Sequence, residues 1–164
     1  MEMTPELTQN KLKELLHYDP ETGVFTWRVR TSKSVHIGDL AGCLGNGYVL
    51  IRLCSVLYLA HRLAWLYMEG RWPVDQTDHK NGIRSDNRWE NLREASGSLN
   101  QQNQRKAHKS GTTRFLGVRC TGKRFQAQIN LDGKQCYLGT YPTPELAHEA
   151  YRKAKRAMHP GCTI

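Results

Sequence analysis

The chain has 164 residues, 38% of them hydrophobic, and a formal charge of +9, a length and composition that suit one medium or two small soluble units. No run of about 18 apolar residues occurs, which argues against a membrane span, and the charged, amphipathic start MEMTPELTQNKLKELLHYDP has no apolar signal core. The five cysteines, Cys43, Cys54, Cys120, Cys136 and Cys162, are odd in number and never spaced CxxC, which speaks against a zinc ribbon or a disulfide framework and for a reduced, cytoplasmic protein.

In chain order, PELTQNKLKELLH at 5–17 places Leu7, Leu12, Leu15 and Leu16 near helical spacing, with Thr4 as a cap before Pro5. YDPETG reads as a turn. VFTWRVR at 24–30 alternates Phe25, Trp27 and Val29 against Thr26, Arg28 and Arg30, as a half-buried strand does. A second strand fits Tyr48 to Leu53 after the Gly45-Asn46-Gly47 turn. A third fits Val56 to Ala60 and runs into a helix at about His61 to Glu69, closed by Gly70 and Pro73. The front part is thus expected to be a small sheet supporting the polar segment at 75–100.

NQRKAHKSGTT at 103–113 is polar, basic and poor in large apolar residues, and reads as a linker. Beyond it, FLGVRC, RFQAQINL and QCYLGTY are strand-like, split by the turn sequences Thr121-Gly122-Lys123 and Asp132-Gly133. Pro144 to Met158 then reads as a helix capped by Thr143, with Ala147, Ala150, Ala154 and Ala157 at helical spacing able to pack on one sheet face. Arg152, Lys153, Lys155 and Arg156 read as its solvated face. Charge divides at the same place. Residues 1–100 carry twelve basic and twelve acidic side chains, whereas 101–164 carry twelve basic against three acidic. A basic unit beside a neutral one suggests that the rear holds a polyanion on which the front acts.

The densest chemistry lies in DQTDHKNGIRSDNRWENLREASGSLN at 75–100. Asp78 and His79 are adjacent, so on a strand their side chains leave on opposite faces, and a bend is needed to converge them. Asn91 and Asn100 lie further along at distances that one hairpin and one helix could bring together. Phosphodiester hydrolysis needs a base for water and neutralisation of charge at the phosphate and leaving oxygen. A neutral His, with an unperturbed pKa of about 6.5, suits the base. The oxygens of Asp78 and Asn100 suit a hard divalent cation.

DHKNGIRSDNRWENLREAS, preceded by AHRLAWLYMEGRWP, resembles the HNH (His-Asn-His) endonucleases in the branch of free-standing phage homing enzymes. The resemblance implies a ββα-metal unit, two antiparallel strands and a helix around one divalent ion, magnesium with manganese as the alternative. By position it makes His79 the general base, Asn91 the central Asn steadying hairpin and base, and Asp78 and Asn100 the metal ligands. The last slot is His in many members and Asn in the homing branch. Asn87 is assigned to tying the loop. His61, Arg84, Arg88 and Arg93 are candidate phosphate contacts.

TRFLGVRCTGKRFQAQINLDGKQCYLGTYPTPELAHEAYRKAKRAMHPG resembles the Apetala-two (ethylene-response-factor) DNA-binding domain, a three-stranded sheet backed by a helix. Ala127, Ile129 and Leu138 would face the helix. Arg119, Arg124, Gln126, Gln128 and Asn130 would face the other way, where Arg can read guanine and Gln or Asn adenine in a major groove. Lys123, Arg124 and Lys134 suit phosphate. Leu116 stands where Arg is common, Phe125 and Tyr137 replace Trp, and Asn130 replaces Arg, so the fold carries over further than any base contact.

The expectation is an α+β protein with three parts: an HNH domain at 1–102 with its ββα-metal core at about 74–102, a basic linker at 103–113, and an Apetala-two-like domain at 114–161. It would be a monomer acting on double-stranded DNA, without a membrane or an evident protein partner, in the cytoplasm of a bacterial host if phage-encoded. The alternative is a DNA-binding transcriptional regulator that does not cleave.

Overall fold

A computed structural model describes residues 7–103, 113–131, 133–159 and 162. The chain divides into two compact units, Met1–Ala95 and Ser96–Ile164. Both mix helices with small antiparallel sheets, so the α+β class holds. Among the described residues no helix is long and apolar enough to cross a membrane.

The first unit opens with α1, Gln9–Leu15, whose first turn is capped by Thr8: its hydroxyl accepts from the Lys11 N–H at 3.3 Å. The helix is shorter than the leucine spacing predicts, and the expected Thr4 cap lies outside the described residues. Leu16 and Tyr18 belong instead to a strand, β1 (Leu16–Asp19), which pairs with β2 (Val24–Trp27). Their alternation with exposed His17 buries both on one face, a period-2 pattern hidden inside a helical one. The second strand stops at Trp27 rather than Arg30, because the Trp27 N–H and C=O turn to Asp39 and Gly38.

A three-stranded meander comes next, β3 (Cys43–Gly45), β4 (Tyr48–Leu53) and β5 (Val56–Leu59). The β3–β4 turn is Asn46-Gly47, both with positive φ (52° and 82°), the conformation that a tight hairpin requires and Asn-Gly favours. From β5 the chain enters α2, Ala60–Glu69, which ends at Gly70 in the left-handed region with its N–H on Leu66 O at 3.1 Å. Leu12, Leu16, Ile51 and Leu63 are fully enclosed at the centre of this unit, each contributing about 1.5 to 3 kcal/mol by leaving water.

The last pair of strands in the unit, β6 (Gln76–His79) and β7 (Leu92–Ala95), flanks a loop ending in a 3-10 turn at Trp89–Asn91. The approach to β6 is pinned by Arg71, which bonds both carboxylate oxygens of Glu94 at 2.8 Å, while the Val74 N–H donates to the same group at 2.8 Å.

The second unit begins with the short helix α3, Gly97–Gln102, whose Leu99 N–H donates to the Ser96 hydroxyl. After it come β8 (Val118–Thr121), β9 (Arg124–Leu131) and β10 (Lys134–Tyr141), in the order β10-β9-β8, and α4 (Pro144–Met158) capped by Thr143. Most of the expected linker, at 104–112, and Asp132 of the second turn lie outside the described residues. Val118, Ala127, Ile129 and Ala147 are buried, with Leu138 and Ala150 partly so. The alanine stripe is only half of the packing surface. Tyr151 and Lys155 complete the buried face of α4, and Ala157 is exposed. Lys155 is therefore not part of a solvated face: it is 1% exposed, with Nζ lying 5.8 Å from the Tyr151 ring centre.

Candidate active site

Asp78 and His79 are buried neighbours on β6, 6% and 4% exposed. The register of β6 with β7 is uninterrupted, setting Asp78 opposite Arg93 and His79 opposite Leu92. Opposed residues share a face, so the two side chains leave the strand on opposite sides, without the bend expected to bring them together. Asp78 accepts from Arg93 Nε at 3.0 Å and Nη2 at 2.7 Å.

His79 turns instead toward the loop and α2. Its Nε2 lies 3.2 Å from Asn87 Oδ1. An amide oxygen can only accept, so the tautomer that makes this bond carries its hydrogen on Nε2 and its lone pair on Nδ1. Burial pushes the His79 pKa below the ordinary histidine value, against the opposing pull of the Asn87 bond and the Asp78 and Asp86 charges. The ring is neutral at pH 7.

Asn87 rather than Asn91 is the asparagine on the imidazole. It is 2% exposed and anchored from across the unit, where the Tyr18 hydroxyl donates to its backbone oxygen at 2.6 Å. Asn91 ties the loop to itself: Oδ1 accepts from the Asn81 N–H at 2.9 Å, Nδ2 donates to Asp86 O at 2.7 Å, and its carbonyl accepts from the Lys80 N–H at 2.8 Å. Sequence spacing identified both asparagines but exchanged part of their roles, since a loop's path decides which amide faces the ring.

His61 packs edge-on against His79, ring centres 5.0 Å apart at 86°. It is 5% exposed, and its Nδ1 has no hydrogen-bond partner among the described residues. Burial lowers its pKa to about 3, with the neighbouring His79 and Arg62 charges adding to the effect. An enclosed neutral ring against His79 is a different arrangement from the surface phosphate contact expected of it. Tyr48, absent from the sequence-derived candidates, touches both imidazoles, with centres 5.4 Å from His61 and 6.2 Å from His79.

The three arginines differ sharply. Arg88 is committed to Asp86 (2.9 and 2.8 Å) and Glu90 (3.0 Å), and holds the Asp86 pKa down to about 2. Arg93 is committed to Asp78. Arg84 is exposed, lies with its guanidinium carbon 5.0 Å from the Tyr48 ring centre, and has no carboxylate partner among the described residues.

Residues 58–102, less than half of the chain, match the family model described as HNH endonuclease. That match supports a nuclease of the HNH type, and with it DNA as substrate. It spans α2, β6, the loop, β7 and α3, and includes Asp78, His79, Asn87, Asn91 and Asn100. No curated protein and no solved structure matches the chain.

Asn100 sits on α3 in the second unit, its N–H bonded to Ser96 O at 2.9 Å. In the sheet of that unit, Arg119 pairs opposite Gln126, and Gln128 opposite Tyr137. The alternation of β9 buries Ala127 and Ile129 and leaves Arg124, Gln126, Gln128 and Asn130 on the other face. Lys123 lies in the β8–β9 turn and Lys134 at the start of β10.

Proposed function

We propose that this protein is a metal-dependent DNA endonuclease of the HNH homing type that nicks duplex DNA, with the C-terminal sheet unit holding the substrate. The observation that carries the reading is the His79 imidazole, neutral, buried and fixed through Nε2 by Asn87, within the segment that matches the HNH family. In this reading Nδ1 takes a proton from water as the water oxygen bonds to phosphorus and the bond to the 3′ oxygen breaks. The products are a 5′-phosphate and a 3′-hydroxyl. Asn91 acts one step back, keeping the loop that carries Asn87 in shape. Arg84, exposed and without a carboxylate partner among the described residues, is the cation best suited to meet a phosphate oxygen.

By the resemblance to the HNH endonucleases, Asp78 would be a ligand of one divalent ion, magnesium with manganese as the alternative. Its carboxylate oxygens are donors that a hard cation prefers, and an ion held by few protein groups keeps water and phosphate oxygens for its remaining positions. Among the described residues no group of three His, Cys, Asp or Glu side chains could hold a metal. When bound, the ion supplies positive charge to the phosphate and the departing oxygen.

The second unit supports the reading through charge and shape. Arg119, Arg124, Gln126, Gln128 and Asn130 line the sheet face away from α4, a surface able to enter a major groove. Lys123 and Lys134 stand at its turns for backbone contacts.

Supercoiled plasmid incubated with the protein in magnesium tests the proposal, with EDTA and His79→Ala as controls. Open-circle product that needs both metal and His79 is expected. Tight DNA binding without cleavage in magnesium or manganese would make the protein a non-catalytic DNA-binding regulator.

A further inference from the structure

Tyr48 lies outside the segment that matches the HNH family, yet its ring reaches the centre of the candidate site. It stands at the first position of β4, directly after the Asn46-Gly47 turn. Ring centres 6.2 Å apart and inclined at 50° put it in contact with His79, within the range of favourable aromatic pairs. The Arg84 guanidinium carbon lies 5.0 Å from the same ring centre, inside the distance at which a cation is held by an aromatic face. Arg84 also rests on the hairpin tip: a Cβ built on Gly47 would meet Arg84 Cδ at 3.7 Å.

We propose that Tyr48 is a positioning residue, an aromatic plate from the β3–β4 hairpin that sets the spacing between the His79 imidazole and the Arg84 guanidinium. The inference rests on the nuclease reading, in which His79 handles the proton and Arg84 the phosphate. Those two groups sit on a strand and an exposed loop of the same hairpin, and no hydrogen bond ties Arg84 in place among the described residues. A long arginine on a loop loses much rotamer freedom when it must meet one phosphate oxygen. A ring already bearing on both groups supplies part of that order before DNA arrives. The contact uses the ring alone; the phenol hydroxyl has no part in it.

The test is a set of single-turnover cleavage measurements on the full chain with plasmid DNA in magnesium, alongside Kd for the same DNA in EDTA. Tyr48→Leu is expected to lower the cleavage rate about 10- to 100-fold, as a misplaced catalytic group does, with Kd changed by less than about threefold. Tyr48→Phe, which keeps the ring, is expected to restore the rate to within about threefold. The deciding measurement is the double variant. If the ring works through Arg84, Arg84→Ala costs little more in the Tyr48→Leu background than Tyr48→Leu alone, because the two changes remove one arrangement.

Independent, multiplying losses would overturn the inference, as would a Tyr48→Phe protein as slow as Tyr48→Leu. Should Tyr48→Leu fail to fold by circular dichroism, Arg84→Lys carries the test in its place. The ring proposal expects its rate to fall most of the way to that of Arg84→Ala, since a compact, strongly hydrated ammonium lacks the planar, more weakly hydrated guanidinium that packs on aromatic rings; a rate near that of the unmodified protein overturns it. Failure of the underlying reading has a separate signature. An unmodified protein that does not cleave, or cleavage indifferent to His79→Ala, removes the nuclease site itself and this inference with it.

Discussion

Arg93 holds one oxygen of Asp78 with two of its nitrogens, at 3.0 and 2.7 Å, from the directly opposed position on the neighbouring strand. The side chains are 20% and 7% exposed, so the pair is largely out of water. Removing the cation leaves a buried carboxylate without its strongest partner. Arg93→Ala is expected to lower stability by about 2 to 4 kcal/mol, as breaking a buried pair does. If Asp78 is a metal ligand, magnesium should raise the melting temperature of this variant by more than it raises that of the unmodified protein. Equal shifts in thermal melts with and without magnesium would detach Asp78 from the proposed metal site.

Acid should destabilise the first unit through His61. Its folded pKa is about 3 against an ordinary 6.5, so between these values the unfolded chain binds a proton that the folded protein refuses. Stability therefore falls as pH drops from about 6.5 toward about 3, by up to about 1.4 kcal/mol per pH unit for one proton, and is unaffected by this group above that window. Asp86, held down to about 2 by Arg88, works in a lower window, losing its contribution below about pH 4. His61→Phe, which keeps a ring against His79, is expected to flatten the upper slope by nearly one proton. Urea unfolding at pH 6.5, 5.5 and 4.5 measures it; an unchanged slope would sink the assignment.

Tyr18 and Asn87 are 69 residues apart in sequence, and their bond of 2.6 Å is buried. Tyr18→Phe deletes the donor and leaves a buried carbonyl short of it, at an expected cost of about 1 to 3 kcal/mol. Because the Asn87 side chain bonds His79, the same variant should also cleave more slowly, with DNA affinity unchanged. Denaturant melts and single-turnover rates on one preparation check both halves.

In the second unit, Arg119→Gln with Arg124→Gln should reduce the salt dependence of DNA binding without unfolding the sheet, since neither side chain is buried. Each lost phosphate contact lowers the log–log slope by about 1, whereas a lost base contact changes preference among sequences instead. Fluorescence anisotropy on two unrelated duplexes across a salt series separates the outcomes. A slope and preference both unaltered would mean that this face does not carry DNA.

The parts legible in the sequence were those set by local spacing. The Asn46-Gly47 turn, β4, α2 with its Gly70 end, the three-stranded sheet and α4 all come from turn residues and periodicity. The polar run at 75–100 falls within the segment that matches the HNH family. The features that escaped depend on contacts between segments far apart. Nothing near Tyr48 in sequence says that its ring meets His79, 31 positions later. Leu16 reads as a helix end and Tyr18 as the start of a turn until β2 is known to pair beside them. Lys155 reads as solvent-facing because whether a lysine on α4 is enclosed depends on the sheet packed against that helix, which its neighbours in sequence do not state.

The β1–β2 hairpin presses on the site loop at three places. The Tyr18 hydroxyl bonds Asn87 O, the Trp89 N–H donates to Pro20 O at 2.9 Å, and Gly23 approaches so closely that a Cβ there would lie 2.4 Å from Arg88 N. The segment that matches the HNH family is thus not a transplantable cassette in this protein. Cut out at residue 58 or grafted elsewhere, it would keep its chemical groups and lose the wall that shapes them. A substitution among residues 18–23 that alters this wall must be accommodated by the loop at 87–89, and the reverse.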